Sequence, residues 1–84
     1  MMGQGEIEIE LLAFLRREIF APETNLTSET DLVAAGFDSM SLVRLLLFIE
    51  THYGLWIPES EITNATLLNV RALAATVARL VHEK

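Results

Sequence analysis

Gly36-Phe37-Asp38-Ser39-Met40-Ser41-Leu42-Val43-Arg44-Leu45-Leu46-Leu47-Phe48-Ile49-Glu50-Thr51-His52-Tyr53-Gly54 contains the most apolar run of the chain, and it is punctuated at both ends. Gly36 suits a left-handed stop for whatever precedes it. Asp38 suits an N-cap, because its carboxylate can accept from a free backbone N–H of a first helical turn. Ser39 then becomes the first helical residue. Gly54 ends the run with a second left-handed candidate. The stretch therefore predicts a helix from Ser39 to about Tyr53.

Placing its residues at ~100° per position separates two apolar faces. Leu42, Leu45, Leu46, Ile49 and Tyr53 cluster on one side and predict the core face. Met40, Val43 and Leu47 cluster on another. A soluble helix with one buried face does not require that second stripe. Either the helix is buried nearly all round, or the stripe meets a partner that comes and goes.

The flanks supply the rest of the core. Ile7, Leu11, Leu12, Leu15 and Ile19 recur at spacings of three and four, which predicts a helix over Glu6 to Phe20. Ile9 and Phe14 fall off that stripe, so one or both should be partly exposed. Glu6, Glu8 and Glu10 sit early and Arg16 and Arg17 late, in accord with the helix dipole. Pro22 stops the helix. Residues 1–5, with two glycines, read as a flexible lead-in, and residues 6–84 as a single domain. Pro22 to Phe37 is a connection of roughly sixteen residues, long for a structureless loop in a small domain. Leu26 and Leu32 are its expected anchors, and Asp31 to Ala35 can form one helical turn. After Gly54, Ile57-Pro58 is an extended step, and Glu59 to Ile62 can form a short helical turn. Asn64 and Asn69 are candidate caps. Val70, Leu73, Val77, Leu80 and Val81 make a last helical stripe ending near His82. The fold class is all-α: a small four-helix bundle of three main helices plus one short one.

Composition narrows the function. The chain has 84 residues, of which 51% are hydrophobic, enough for one core. With no cysteine, disulfide frameworks and thiolate metal sites are excluded. His52 and His82 have no ligand spacing around them. A net charge of −6 disfavours nucleic-acid phosphates. No apolar run reaches the ~18 residues of a membrane span. The expectation is a soluble, intracellular protein.

Catalysis by Ser39 lacks partners. A nucleophilic serine needs a base within hydrogen-bond reach and an oxyanion hole. Asp38 is better used as a cap. His52 lies thirteen residues further on, about 20 Å along the helix. The Gly-x-Ser-x-Gly elbow is absent, since Phe37 and Ser41 stand where glycines would. On spacing alone, Asp38-Ser39 is equally readable as a plain helix start.

Gly36-Phe37-Asp38-Ser39-Met40 resembles the Gly-x-Asp-Ser-Leu/Met signature of acyl and peptidyl carrier proteins. Leu26, Thr30 and Leu32 resemble the segment that leads into that signature. Phe48-Ile49-Glu50-Thr51-His52-Tyr53-Gly54 is similar to the family's helix ending. Ile57-Pro58 and the small polar opening Asn69-Val70 fit the same pattern. The resemblance runs from about Ile7 to Val81.

It implies a protein that is not itself an enzyme. Ser39 would carry 4′-phosphopantetheine, placed there from coenzyme A by a phosphopantetheinyl transferase, with Asp38 part of what the transferase recognises. The arm's thiol would hold an acyl, aminoacyl or peptidyl group as a thioester. Further implied partners are a loading ligase, adenylation enzyme or acyltransferase, and a downstream synthase or acceptor enzyme. Met40, Val43, Arg44 and Leu47 match partner-contacting positions, with Phe37 and Ile62 flanking the same end. Trp56 is readable either as a partner contact or as core. Fatty-acid carriers of bacteria have a strongly acidic second helix. Here Ser41 and Arg44 occupy positions that are often acidic there, and Glu50 is the one acidic residue between Ser39 and Gly54. The pattern looks more like discrete carriers of polyketide, nonribosomal-peptide or D-alanyl-transfer systems. The Met1 start and short tails suggest a stand-alone protein; a monomer in the cytoplasm is the further expectation. The alternative is an unmodified carrier-like adaptor that binds partner proteins.

Overall fold

The computed structural model describes residues 3–83. Three helices carry the fold: α1, Gln4–Glu18; α2, Ser39–Tyr53; and α3, Val70–Glu83. No strand occurs among the described residues. The expected short fourth helix is one 3₁₀ turn, Glu59–Glu61. Its Pro58 fixes the backbone at the turn's entry, and three residues are all it includes.

α1 begins earlier than the apolar stripe indicates. Gly3 is its cap, and the Ile7 N–H donates to the Gly3 carbonyl at 3.2 Å. Gln4 and Gly5 are therefore helical rather than part of a flexible lead-in; Met1 and Met2 lie outside the described residues. At the other end Glu18 is the last helical residue, and the N–H groups of Ile19 and Phe20 both reach the Leu15 carbonyl. Continuing would press the ring of Pro22 against the Glu18 carbonyl.

Ile7, Leu11 and Leu15 of α1 are fully buried, as are Val70, Leu73, Ala74 and Val77 of α3. The two helices pack along one another. Leu45 and Ile49 of α2, also fully buried, complete the core with Leu46. Ile9 is exposed as its phase requires, but Phe14 is buried. Its ring stacks on Phe48 of α2 with centroids 4.4 Å apart. The apolar face of α1 is wider than a single stripe because α2 covers its flank.

The long connection is held at several points. Phe20, Leu26, Leu32 and Phe37 enter the core. The Arg16 guanidinium donates to the Leu26 carbonyl at 2.6 Å. The Leu32 N–H donates to the Leu68 carbonyl at 3.0 Å, and the Arg71 N–H to the Ser28 carbonyl at 2.9 Å. These bonds satisfy loop backbone that burial would otherwise penalise. Asp31 opens the expected turn by accepting from the Ala34 N–H, and Gly36 closes it at φ 113°.

Asn69 caps α3, its Oδ1 accepting from the Ala72 N–H at 2.8 Å. Asn64 does not cap. Thr63 takes that role, its hydroxyl accepting from the Thr66 N–H at 3.1 Å.

Candidate functional site

The site is the start of α2. Asp38 has extended backbone, φ −129° and ψ −173°, so its side chain folds back over the first turn. One oxygen, Oδ1, accepts from both the Ser41 N–H and the Ser41 hydroxyl, each at 2.9 Å. These bonds, the backbone one foremost, hold the Asp38 carboxyl below its ordinary value. Asp38 is thus an anion at neutral pH and is committed to Ser41.

That commitment leaves Ser39 free. The residue is exposed, and among the described residues its hydroxyl has no hydrogen-bond partner. Ser39 sits where unpaired backbone N–H groups and the positive end of the helix dipole favour a phosphate ester. An exposed, unpaired hydroxyl at a helix start fits a covalently attached phosphodiester. It does not fit a buried nucleophile with its own base. His52, the nearest histidine in the sequence, is at the opposite end of α2. There its Nε2 lies 3.1 Å from Glu10 and its ring stacks on Phe48. Among the described residues no cluster of side chains can hold a metal ion, and no helix is long and apolar enough to cross a membrane.

The second stripe of α2 is on the surface. Met40 is 71% exposed, Val43 51% and Leu47 52%. Arg44 lies between them and pairs with Glu18 at the end of α1, at 3.0 Å. Arg44, Leu47, Phe48 and Thr51 of α2 face Phe14 and Glu18 of α1 across an open groove of about 340 Å³. Ser39, Met40, Val43 and Leu47 thus share one continuous exposed side of the helix.

One expected member of this surface is elsewhere. Phe37 is only 7% exposed and belongs to the core. Gly36 turns the chain so that the Phe37 N–H donates to the Leu32 carbonyl at 2.9 Å, and the ring is drawn inward. Ile62 is half-buried, with part of its side chain packed against the core. Trp56 is exposed. Glu18 is the residue that sequence reasoning missed. It lies in the last turn of another helix, and no periodicity connects it with Arg44.

Comparison with known proteins places this geometry in context. The family described as "Phosphopantetheine attachment site" matches residues 10–80. The lincomycin biosynthesis protein LmbN of Streptomyces lincolnensis is 42% identical over 79 residues, covering 89% of this chain and 28% of that protein. The chain therefore spans little more than a quarter of that relative's length. Among solved structures, one match is a chain of the crystal structure of Bradyrhizobium japonicum glycine:carrier protein ligase complexed with glycylated carrier protein. It has a TM-score of 0.67 and 29% identity, covering 87% of this chain and 96% of that one. A second is a chain of the crystal structure of the same ligase complexed with cognate carrier protein and an analogue of glycyl adenylate, with a TM-score of 0.68 and 30% identity. It covers 88% of this chain and 94% of that one.

Proposed function

This chain belongs to the phosphopantetheine attachment-site family of carrier proteins, and from that premise we propose that Ser39 is its attachment residue. The prosthetic group of the family is 4′-phosphopantetheine, which supplies the thiol on which an activated acyl or aminoacyl group is held. The observation that carries the assignment is the division of labour at the start of α2. Asp38 spends its carboxylate on Ser41, and Ser39 keeps an exposed hydroxyl with no partner.

Ser39 would hold the group through its oxygen, as a phosphoester to the pantetheine phosphate taken from coenzyme A. The transferase would remove the hydroxyl proton, and adenosine 3′,5′-bisphosphate would be the leaving group. The helix start would stabilise the phosphodiester with backbone N–H groups. The chain makes and breaks no bond in the cargo. It raises the cargo's effective concentration at each partner it docks with.

Met40, Val43 and Leu47, with Arg44 among them, form the docking face for a loading enzyme. The likeness to carriers bound to a glycine ligase supports an amino acid as cargo and an adenylating ligase as loader. A downstream synthase or acceptor enzyme uses the same face in turn. The carrier module begins with α1 at Gln4 and acts as a monomer in the cytoplasm, where coenzyme A is available.

Intact mass tests the assignment. Incubation with coenzyme A and a broad-specificity phosphopantetheinyl transferase should add one phosphopantetheine, and Ser39→Ala should add none. An unmodified wild-type chain, beside a control carrier that is fully converted, would return the protein to the adaptor reading.

A further inference from the structure

The groove between α1 and α2 ends in charge. Three contacts set its register: Glu18 against Arg44, Phe14 against Phe48, and Glu10 against His52. The two helices therefore run antiparallel, and the end of α1 meets the middle of α2. Phe14, Leu47 and Phe48 give the groove its apolar lining, with Glu18 and Arg44 at the end nearer Ser39.

That end is unlike the rest of the chain. The protein carries a net charge of −6 and six Lys and Arg residues. Arg16, Arg17 and Arg44 belong to this corner, and Glu18 is the carboxylate that pairs there. Its Oε2 accepts from Arg17 Nε and its Oε1 from a terminal nitrogen of Arg44, each at 3.0 Å. One carboxylate shared by two guanidiniums leaves positive charge over. It also leaves donors. A guanidinium has five N–H groups, and among the described residues Arg17 and Arg44 donate to Glu18 alone. Their side chains are 62% and 49% exposed, so an incoming group can reach them. Arg79, by contrast, has Glu61 and Glu83 to itself. Glu50 lies six positions beyond Arg44 and so about 120° round the helix from it. Asp38 is committed to Ser41.

We propose that this corner receives a carboxylate of the loading ligase, which replaces Glu18 on Arg44 and Arg17, while an apolar side chain beside that carboxylate seats on Phe14, Leu47 and Phe48. The inference rests on the carrier reading, with α2 as docking face, and deepens it in two ways. It brings the end of α1 into the interface, and it sets the sign of the charge that the partner presents. The net negative charge acts at long range and is screened beyond about 10 Å at ~0.1 M salt. Contact is decided by the groups at the corner, which attract an acidic surface and repel a basic one. Glu18 holds the place that the ligase takes. Exposed ion pairs add little to folding, so one carboxylate can be exchanged for another with the helices intact. The competition weakens docking, which suits a carrier that must leave its enzyme.

The test is steady-state loading at varied concentrations of holo-protein. The probes are adenylating ligases for small amino acids, the Bradyrhizobium japonicum glycine ligase among them, and the most efficient is carried forward. Each variant is first checked for mass gain and helical circular dichroism, so failure of the carrier reading shows as no mass gain before any loading is measured. Arg44→Glu should lower kcat/KM by roughly tenfold or more, chiefly through KM. Glu18→Gln, which frees both arginines, should lower KM by roughly threefold. A merely structural pair would respond alike to loss of either partner, so the opposite signs identify docking. Rising NaCl should reduce kcat/KM more for Glu18→Gln than for Arg44→Gln, because salt screens the attraction. If Arg44→Glu loses helicity, Arg17→Glu takes its place. A gain in kcat/KM on charge reversal, or changes of the same sign at Arg44 and Glu18, overturns the proposal. Failure of every ligase to load a wild-type protein that has gained the arm removes the ligase as occupant and overturns it too.

Discussion

The two apolar faces of α2 are built from the same residue types and meet opposite fates. Leu45, Leu46 and Ile49 are buried, while Met40, Val43 and Leu47 stand in solvent. Leu46 and Leu47 are neighbours in sequence, and the helical rotation between them separates core from surface. Hydrophobicity therefore does not by itself locate the core of this protein. Phase does, together with what neighbouring elements leave uncovered. An apolar residue kept at the surface loses the stabilisation of burial, about 1.5–3 kcal/mol for a side chain of this size. Three such residues on one side of α2, beside an exposed serine, are what the proposed docking face requires.

Substitutions can break this contrast. Leu45→Ala removes a fully buried side chain and should cost about 2–5 kcal/mol, read from the midpoint of urea unfolding. An equal loss from Leu47→Ala would erase the distinction between the faces. Gly36→Ala comes next. Nothing lies within 4 Å of the added methyl, so space is not the obstacle. The strain comes from φ 113°, and should cost about 1 kcal/mol or more, with the Phe37 amide resonance displaced as the ring loses its entry angle. Leu47→Asp and Val43→Asp should change stability by no more than about 0.5 kcal/mol and leave the helical circular dichroism unchanged. Loading of the holo-protein by its cognate ligase should nevertheless fall. Unfolding of either variant would show that the stripe is structural.

The smallest effect is a pH dependence at the helix start. Hydrogen bonds from Ser41 lower the Asp38 carboxyl in the folded chain. A lowered folded value gives stability that is fully present above the unfolded value, near pH ~4. It is lost as pH falls through the folded value. Asp38→Asn keeps the cap but has no charge to lose, so it should flatten the acid limb of a thermal-melt series below about pH 4. An unchanged limb would mean that the cap is not formed in solution.

Much of this was legible because it depends on local rules. The limits of α2 follow from Asp38 and Gly54, and its two faces follow from rotation per residue. The loop anchors Leu26 and Leu32 are apolar residues in a polar stretch. What escaped depends on contacts between distant segments. Phe14 is off the main stripe of α1, and its burial required Phe48 to arrive from another helix. Phe37 stands beside Ser39 in sequence yet points inward, because the bond to Leu32 and the turn at Gly36 decide its direction. Asn64 is a good cap by type, but Thr63 is one residue better placed. The pairing of Glu18 with Arg44 and the bond from the Leu32 N–H to the Leu68 carbonyl join residues with no shared period. Membership in the carrier family was legible from the signature around Ser39.

The aromatic seam at the far end of α2 has a practical consequence. Phe14, Phe48, His52 and Tyr53 lie in series with centroids 4.4 to 6.3 Å apart. Magnetic anisotropy of stacked rings displaces nearby proton resonances, so the His52 ring protons are an intrinsic gauge of the α1–α2 seam. They sit at the end of the helix remote from Ser39. A ligase that shifts Met40 and Val43 but leaves the His52 lines in place engages the carrier as a rigid body. Movement of both sets would mean that docking prises the first two helices apart.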